Sequence, residues 1–135
     1  MRHRLTSLAA VVAVAIVPTL AGCERQPTVW VVPSTGLVDG QVVTVTGSGY
    51  SPGSSLGIIE CVAGADSLDD CDSRTATSFS ADATGGYTKP LTVRRVIRHN
   101  TTETDCASAP GACIVASVYI HGFQGLATAP LELEP

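Results

Sequence analysis

The chain has 135 residues, enough for a single domain, and carries 12 acidic against 8 basic side chains. This acidic balance argues against a basic surface for DNA or RNA, so no direct nucleic-acid binding is expected. Only 4% of the residues are aromatic, and the frequent Val and Thr residues after position 28 favour strands over helices. The composition therefore predicts an all-β domain with an aliphatic core.

The first 22 residues have the layout of a secretory signal peptide. A basic segment at 2–4 precedes an apolar run at 8–20, which is too short for a comfortable transmembrane helix. The run ends in Leu20-Ala21-Gly22-Cys23, which resembles the bacterial lipobox, where cleavage precedes the cysteine and its sulfur receives a diacylglyceryl group. An ordinary signal peptide followed by an unrelated cysteine is the alternative.

On the lipobox interpretation, the mature protein begins at a lipidated Cys23 and is exported. It is then anchored to the outer face of the cell membrane as a lipoprotein, with palmitate-type acyl chains as its membrane contact. Loss of Arg2 and Arg4 with the signal peptide leaves six basic and twelve acidic residues, a net charge near −6. The membrane is thus the first expected partner.

A short polar tether, residues 23–28, leads into a predicted domain at 29–135. Gly, Pro and Asp turn signals separate seven apolar or alternating segments in this domain. The predicted strands are residues 29–33, 41–47, 55–61, 76–81, 87–95, 114–120 and 126–133. Residues 97–105 are predicted to be a polar loop. Seven short strands in one domain predict an immunoglobulin-like β-sandwich.

The chain has five cysteines, and four remain when Cys23 is assigned to lipid. An exported domain with four cysteines is expected to form two disulfides, for which three pairings are compatible with the sequence. Proximity favours two local bridges, Cys61–Cys71 and Cys106–Cys113, each worth about 2–3 kcal/mol by chain entropy. A zinc site built from the same four residues is the alternative, although neither pair has Cys-x-x-Cys spacing.

No catalytic constellation is evident, so the protein is not expected to be an enzyme, and no cofactor or metal motif is present. The two histidines after the signal segment, His99 and His121, fall in loops without a partner motif. Arg94, Arg95 and Arg98 form a small basic patch. Salt bridges to the acidic loops are the expected role of this patch, and contact with an anionic ligand is the alternative.

An ordered series of motifs spans residues 28–133. It comprises Pro33-Ser34-Thr35-Gly36-Leu37-Val38-Asp39-Gly40, Val43-Thr44-Val45-Thr46-Gly47-Ser48-Gly49, Cys61 and Cys71 with nine residues between them, Ser80-Ala81-Asp82-Ala83-Thr84-Gly85, Leu91-Thr92-Val93-Arg94-Arg95, and Asp105-Cys106 with Cys113. The series resembles the neocarzinostatin family, the actinobacterial apoproteins that carry enediyne chromophores. The resemblance implies a seven-stranded immunoglobulin-like sandwich with two local disulfides.

In function, the resemblance implies a non-enzymatic carrier. Such a protein holds an apolar, reactive chromophore in a cleft beside the first disulfide and releases it to cut DNA, with antibacterial effect. The cleft residues expected on this basis are Ala63, Leu68, Asp69, Ala76, Ile114, Ala116 and Val118. Three aromatic or apolar residues near the last turn belong either to the core or to the cleft mouth: Tyr119, Phe123 and Leu126.

Two functions follow from these observations. The first is a membrane-anchored binding protein that holds a small apolar ligand, enediyne-like only by family resemblance, in the cleft beside Cys61–Cys71. The second is a surface structural or protein-interaction domain that has lost chromophore binding. They differ in whether an open apolar cleft is present.

Overall fold

The computed structural model describes residues 11–15 and 26–135. The predicted lipid anchor Cys23 and most of the predicted signal peptide lie outside the described residues. In the described part of the chain, no helix has both the length and the apolar character needed to cross a membrane.

The domain is built from nine strands, and all seven predicted strands are among them. The strands are β1 Thr28–Val32, β2 Val42–Ser48, β3 Ser55–Val62, β4 Thr77–Ser80, β5 Tyr87–Thr92, β6 Val96–His99, β7 Thr102–Asp105, β8 Cys113–Tyr119 and β9 Gln124–Leu131. Two short 3-10 turns, Leu68–Asp70 and Ser73–Thr75, lie between β3 and β4.

The extra strands β6 and β7 correct the prediction of a polar loop at 97–105. They pair as an antiparallel hairpin and place Ile97 in the core with no exposed surface. Asn100, at the tip, has a φ of 53°, a conformation that Asn tolerates better than most residues. A buried isoleucine and a turn-forming asparagine therefore help to order a segment that is otherwise polar.

Two antiparallel sheets pack face to face, which confirms the all-β sandwich. One sheet has the strand order β1-β2-β5 and the other has the order β4-β3-β8-β9, with β1 at an edge as its Pro33 neighbour suggests. Alternation along β2 and β3 sends Val43, Val45, Leu56 and Ile58 into the space between the sheets, where each is almost fully buried. These aliphatic side chains form the main core.

A second apolar cluster lies on the outward face of the four-stranded sheet, which would normally be polar. It consists of Ile59, Cys61, Ala65, Cys71, Ile114 and Ala116, with Phe123 packed against it. The segment from Ala63 to Cys71 folds back over the sheet and covers this cluster. Part of the outward face of this sheet is therefore buried.

Both predicted disulfides are present. Cys61 is bonded to Cys71, and Cys106 is bonded to Cys113. The first bridge ties the end of β3 to the covering segment, and the second joins the end of the β6–β7 hairpin to the start of β8. With all four sulfurs paired in this way, the alternative of a zinc site is wrong.

Candidate functional site: an apolar cleft on the outer face of the four-stranded sheet

The floor of the cleft is made by neighbouring strands β3 and β8. Their register places Gly57 opposite Val118 and Ile59 opposite Ala116, and these residues alternate with the core-facing Leu56 and Ile58. Gly57 leaves the floor open, because a Cβ atom there would be 3.7 Å from the Thr77 carbonyl oxygen and 3.8 Å from the Ile120 side chain, ordinary contact distances. The depth of the cleft depends on this glycine.

Two walls rise from this floor. Leu68 of the first 3-10 turn and the stretch from Ala76 to Ser78 form one wall, and Ile120 and Phe123 of the β8–β9 turn form the other. Leu68 is 54% exposed and Ile120 is 40% exposed, so both present apolar surface at the rim. The cleft therefore offers hydrocarbon on both sides and at its base.

The cleft has a volume of about 160 Å³. An apolar cavity of about 150 Å³ in a protein accommodates benzene, whereas sites for drug-sized ligands measure about 300–1,000 Å³. The space thus fits one aromatic ring or a short aliphatic segment. A larger ligand would extend beyond the rim formed by Leu68 and Ile120.

Of the seven cleft residues expected from the sequence, Leu68, Ala76 and Val118 line the cleft. Ile114 and Ala116 lie on the same outward face but nearer the Cys61–Cys71 bridge, where they are buried under the covering segment. They support the floor and do not line the open space.

Ala63 and Asp69, which were also expected in the cleft, both have exposed side chains, and neither lines this cleft. After Ala63 the chain turns through Gly64, whose φ is 78°. Asp69 belongs to the 3-10 turn that presents its neighbour Leu68 to the cleft. Tyr119 and Phe123 do line the cleft, whereas Leu126 does not.

Several lining residues were not anticipated from the sequence, namely Gly57, Ile58, Ile59, Thr77, Ser78 and Ile120. Strand alternation could have identified Gly57 and Ile59, because they alternate with the inward-facing Leu56 and Ile58. No local signal could have identified Thr77 or Ser78, since their role depends on β4 pairing with β3.

On the opposite side of β3, Glu60 points into the sandwich and has no exposed surface. Its Oε2 atom accepts a hydrogen bond of 2.8 Å from the backbone N–H of Arg94, and its Oε1 atom lies 3.7 Å from the Cys106 sulfur. Burial, reinforced by the nearby Asp72 carboxylate, raises the pKa of Glu60 to about 8. This carboxyl group is therefore mostly protonated at neutral pH.

Asp72, only 1% exposed, has the opposite protonation state and is ionised. Its carboxylate accepts hydrogen bonds from the Arg74 guanidinium and, at 2.8 Å, from the backbone N–H of Arg98. The Arg74 interaction is the main reason why the pKa of Asp72 falls to about 2, despite its burial. The two carboxyl groups are thus held as one acid and one carboxylate.

The surroundings of Glu60 do not form a metal site. Its carboxyl oxygen and the sulfurs of Cys106 and Cys113 lie within 4.8 Å of one another, but the two sulfurs are bonded to each other. A disulfide sulfur is not the thiolate that a metal ion requires. The cluster is part of the core.

Two of the three arginines of the basic patch form salt bridges, the role expected from the sequence. The Arg95 side chain lies 3.2 Å from the Asp105 carboxylate, and the Arg98 side chain lies 2.9 Å from that of Glu103. Both pairs are largely exposed, so each contributes little to stability. The apolar cleft is the better candidate for a ligand site.

Residues 29–133 match the family model described as the neocarzinostatin family. The chain belongs to this family. The family is one of chromophore-carrying apoproteins.

Individual relatives cover most of the chain. It is 36% identical over 121 residues to the antitumor antibiotic C-1027 apoprotein of Streptomyces globisporus, a match that covers 81% of this chain and 84% of the relative. Actinoxanthin, from the same species, is 36% identical over 120 residues, covering 80% of this chain and 83% of the relative.

The solved structure of macromomycin has the same fold. It superposes with a TM-score of 0.64 at 28% sequence identity, covering 79% of this chain and 98% of that one. The neocarzinostatin fold inferred from the sequence motifs is therefore confirmed.

Proposed function

We propose that this protein is an exported, membrane-anchored, non-enzymatic binding protein that holds a small apolar ligand in the cleft of β3 and β8. The observation that carries the proposal is the open cleft of about 160 Å³ on an outward sheet face, with a glycine at its base. The carrier role of the family supports the same function, and the Leu-Ala-Gly-Cys segment that ends at Cys23 supports the membrane anchor.

The size of the cleft limits the affinity that it can supply alone. Burying one aromatic ring removes about 150 Å² of apolar surface from water, worth about 4 kcal/mol before binding costs. A free energy of about 4 kcal/mol corresponds to millimolar affinity. A tightly held ligand would need further contact outside the cleft, over the exposed rim residues Leu68 and Ile120.

Native mass spectrometry of the protein purified from its own host tests this function. Wild type should carry a small molecule, and Gly57→Val should lose it, because the added side chain occupies the floor while its Cβ meets only ordinary contacts. Thr44→Val is the control, since it places a valine at an exposed strand position on the other sheet. Retention of the ligand by Gly57→Val would show that the cleft is not the site.

The second candidate is a surface structural or protein-interaction domain without a ligand. It is favoured by exposed apolar side chains on the outward face of the three-stranded sheet, where Trp30, Val32 and Val42 are 49%, 61% and 59% exposed. Contiguous exposed apolar surface is typical of protein contacts. If wild type carries no small molecule and instead captures envelope proteins, and Val32→Glu abolishes that capture, this second function is correct.

A further inference from the structure

The end of the sandwich at which the tether enters is defined by Gly49, in the turn after β2. A Cβ atom on Gly49 would lie 3.1 Å from both the Gln26 carbonyl oxygen and the Pro27 Cα atom. The entering chain is therefore packed directly against this turn. Gly49 also has a φ of 90°, which favours glycine and keeps the turn tight.

The same turn is joined to the β8–β9 turn, residues 119–125. The Tyr119 hydroxyl accepts a hydrogen bond of 2.9 Å from the backbone N–H of Ser51, and the Tyr50 and Tyr119 rings meet edge to face at 5.2 Å. Gly125 is so close to the Tyr119 ring that a Cβ atom would approach it to 2.6 Å. Gln26 and Pro27 of the tether, the turn after β2 and the β8–β9 turn thus form one packed unit.

The β8–β9 turn is also a wall of the cleft, through Ile120 and Phe123. Between Cys113 and Leu131 the sequence contains no Asp, Glu, Lys or Arg, and His121 is its one ionisable imidazole. A turn that lacks Asp, Glu, Lys and Arg and has an exposed isoleucine can approach lipid without the cost of dehydrating a carboxylate, an ammonium or a guanidinium group. The acidic character of the chain resides in other segments.

Asp82 lies in the turn before β5, which contacts this end because the backbone N–H of Tyr50 donates a hydrogen bond of 3.1 Å to the Gly85 carbonyl oxygen. Its Oδ1 atom already accepts hydrogen bonds from the backbone N–H groups of Thr84, at 2.8 Å, and Gly86, at 3.0 Å. These hydrogen bonds hold the carboxylate against its own turn, which lowers the cost of bringing it near a membrane surface.

The length of the tether sets how far this end can lie from an anchored lipid. Cys23 precedes Gln26 by three residues, and an extended chain spans at most about 3.6 Å per residue, or about 11 Å in total. If Cys23 carries lipid, the end of the domain that bears Gly49 and the β8–β9 turn is held close to the bilayer surface. The tether then gives the β8–β9 turn a high local concentration at the lipid interface.

We propose that the β8–β9 turn rests on the bilayer and that the cleft opens toward it, so that the ligand is an amphiphile whose ring or chain end enters the cleft from the membrane. This inference rests on the proposed lipid anchor and names the source and class of the ligand. It also accounts for the small volume of the cleft, because the rest of the amphiphile stays in the bilayer and needs no further protein surface.

The position of the turn is tested with the mature lipoprotein in phosphatidylcholine vesicles that contain brominated acyl chains. In a Trp30→Phe background, Ile120→Trp places the only tryptophan at the β8–β9 turn, and Val42→Trp places it at the far end of the other sheet. Val42 lies about 20 Å along β2 from the turn at Gly49. Bromine should quench the reporter at position 120 several-fold more than the reporter at position 42.

Other outcomes distinguish a failure of the lipid anchor from a failure of the orientation. If the wild-type protein does not sediment with vesicles, or if Cys23→Ser sediments equally well, the anchor is wrong and the inference falls with it. If the protein sediments but both reporters are quenched equally or not at all, the anchor stands and the orientation is wrong. Protection of position 120 from aqueous iodide without bromine quenching would indicate a second copy or another protein on the turn, and would overturn the inference.

Entry of a chain end is tested with a phospholipid that carries a photoreactive diazirine at the end of one acyl chain. Labelling is expected at residues 119–125 and also at 68–78 across the cleft. Gly57→Val should abolish labelling at 68–78 and leave that at 119–125, whereas the control Thr44→Val should change neither. Labelling confined to 119–125 in the wild-type protein would overturn the proposed entry of the amphiphile.

Discussion

Replacing Glu60 by glutamine should remove most of the pH dependence of the stability of this domain between pH 5 and 8. The carboxyl group of Glu60 has a pKa of about 8 in the folded protein, against 4.5 as its ordinary value. In this range the folded state keeps the proton and the unfolded state does not. The free energy of unfolding of the wild-type protein should therefore fall as the pH rises.

The size of the effect follows from that interval. Between pH 4.5 and about 8, the free energy of unfolding of the wild-type protein falls by about 1.4 kcal/mol per pH unit, or by at most about 5 kcal/mol in total. Asp72 acts at the other extreme: its pKa of about 2, against 3.8, gives a contribution that is lost as the pH falls through that range. These two pKa values together predict that stability is greatest near pH 4–5.

The assay is guanidinium-induced unfolding with both disulfides intact, at pH values from 4.5 to 9. Trp30 is the only tryptophan, and it reports unfolding by fluorescence. Glutamine keeps an acceptor for the Arg94 N–H group, so the variant should be within about 1 kcal/mol of wild type at pH 5. At pH 8.5 it should be the more stable of the two by several kcal/mol.

The exposed residue Glu103 supplies the control, because Glu103→Gln should leave the pH profile of the wild-type protein unchanged. The reasoning is refuted if the stability of wild type is flat or rises between pH 5 and 8. It is also refuted if wild type and Glu60→Gln lose stability in parallel over that range, because the buried carboxyl group would then not be the cause.

Three further substitutions test the packing in the same denaturation assay. Asp72→Asn should cost about 2–3 kcal/mol at pH 7, since charge-assisted hydrogen bonds are lost, and this difference should shrink toward pH 2. Ser117→Ala should cost about 1–3 kcal/mol, because two buried tyrosine hydroxyls donate to its side chain; an unchanged midpoint would contradict that. Gly85→Ala should be far more harmful than Gly53→Ala: both have positive φ, but a Cβ at Gly85 would meet the Tyr50 carbonyl oxygen at 2.0 Å, whereas one at Gly53 meets nothing within 4 Å. Equal midpoints for the two alanine variants would refute this comparison.

The all-β class, the seven sandwich strands and both disulfides could be predicted from the sequence because each leaves a local signal. Alternating apolar residues mark the strands, Gly, Pro and Asp mark the turns, and short spacing favours Cys61–Cys71 and Cys106–Cys113. The family also follows from the sequence, since its motifs occur in order along the chain.

The cleft could be assigned only in part. Leu68, Ala76 and Val118 were anticipated through the family resemblance, but that resemblance also indicated Ala63 and Asp69, which lie outside the cleft. Whether a residue faces the cleft depends on how the covering segment folds back, and short turns such as Leu68–Asp70 point neighbouring side chains in different directions. Sequence position alone does not contain that information.

Glu60 shows most clearly what the tertiary structure decides. Within its strand it is one acidic residue among apolar neighbours, and nothing local indicates its protonation state. Its hydrogen-bond donor is Arg94, 34 residues away, and its sulfur neighbour is Cys106, 46 residues away. Burial between two sheets and the pKa that results from it arise only when these distant segments meet, whereas the strands and turns that bring them together are already specified by local residue patterns.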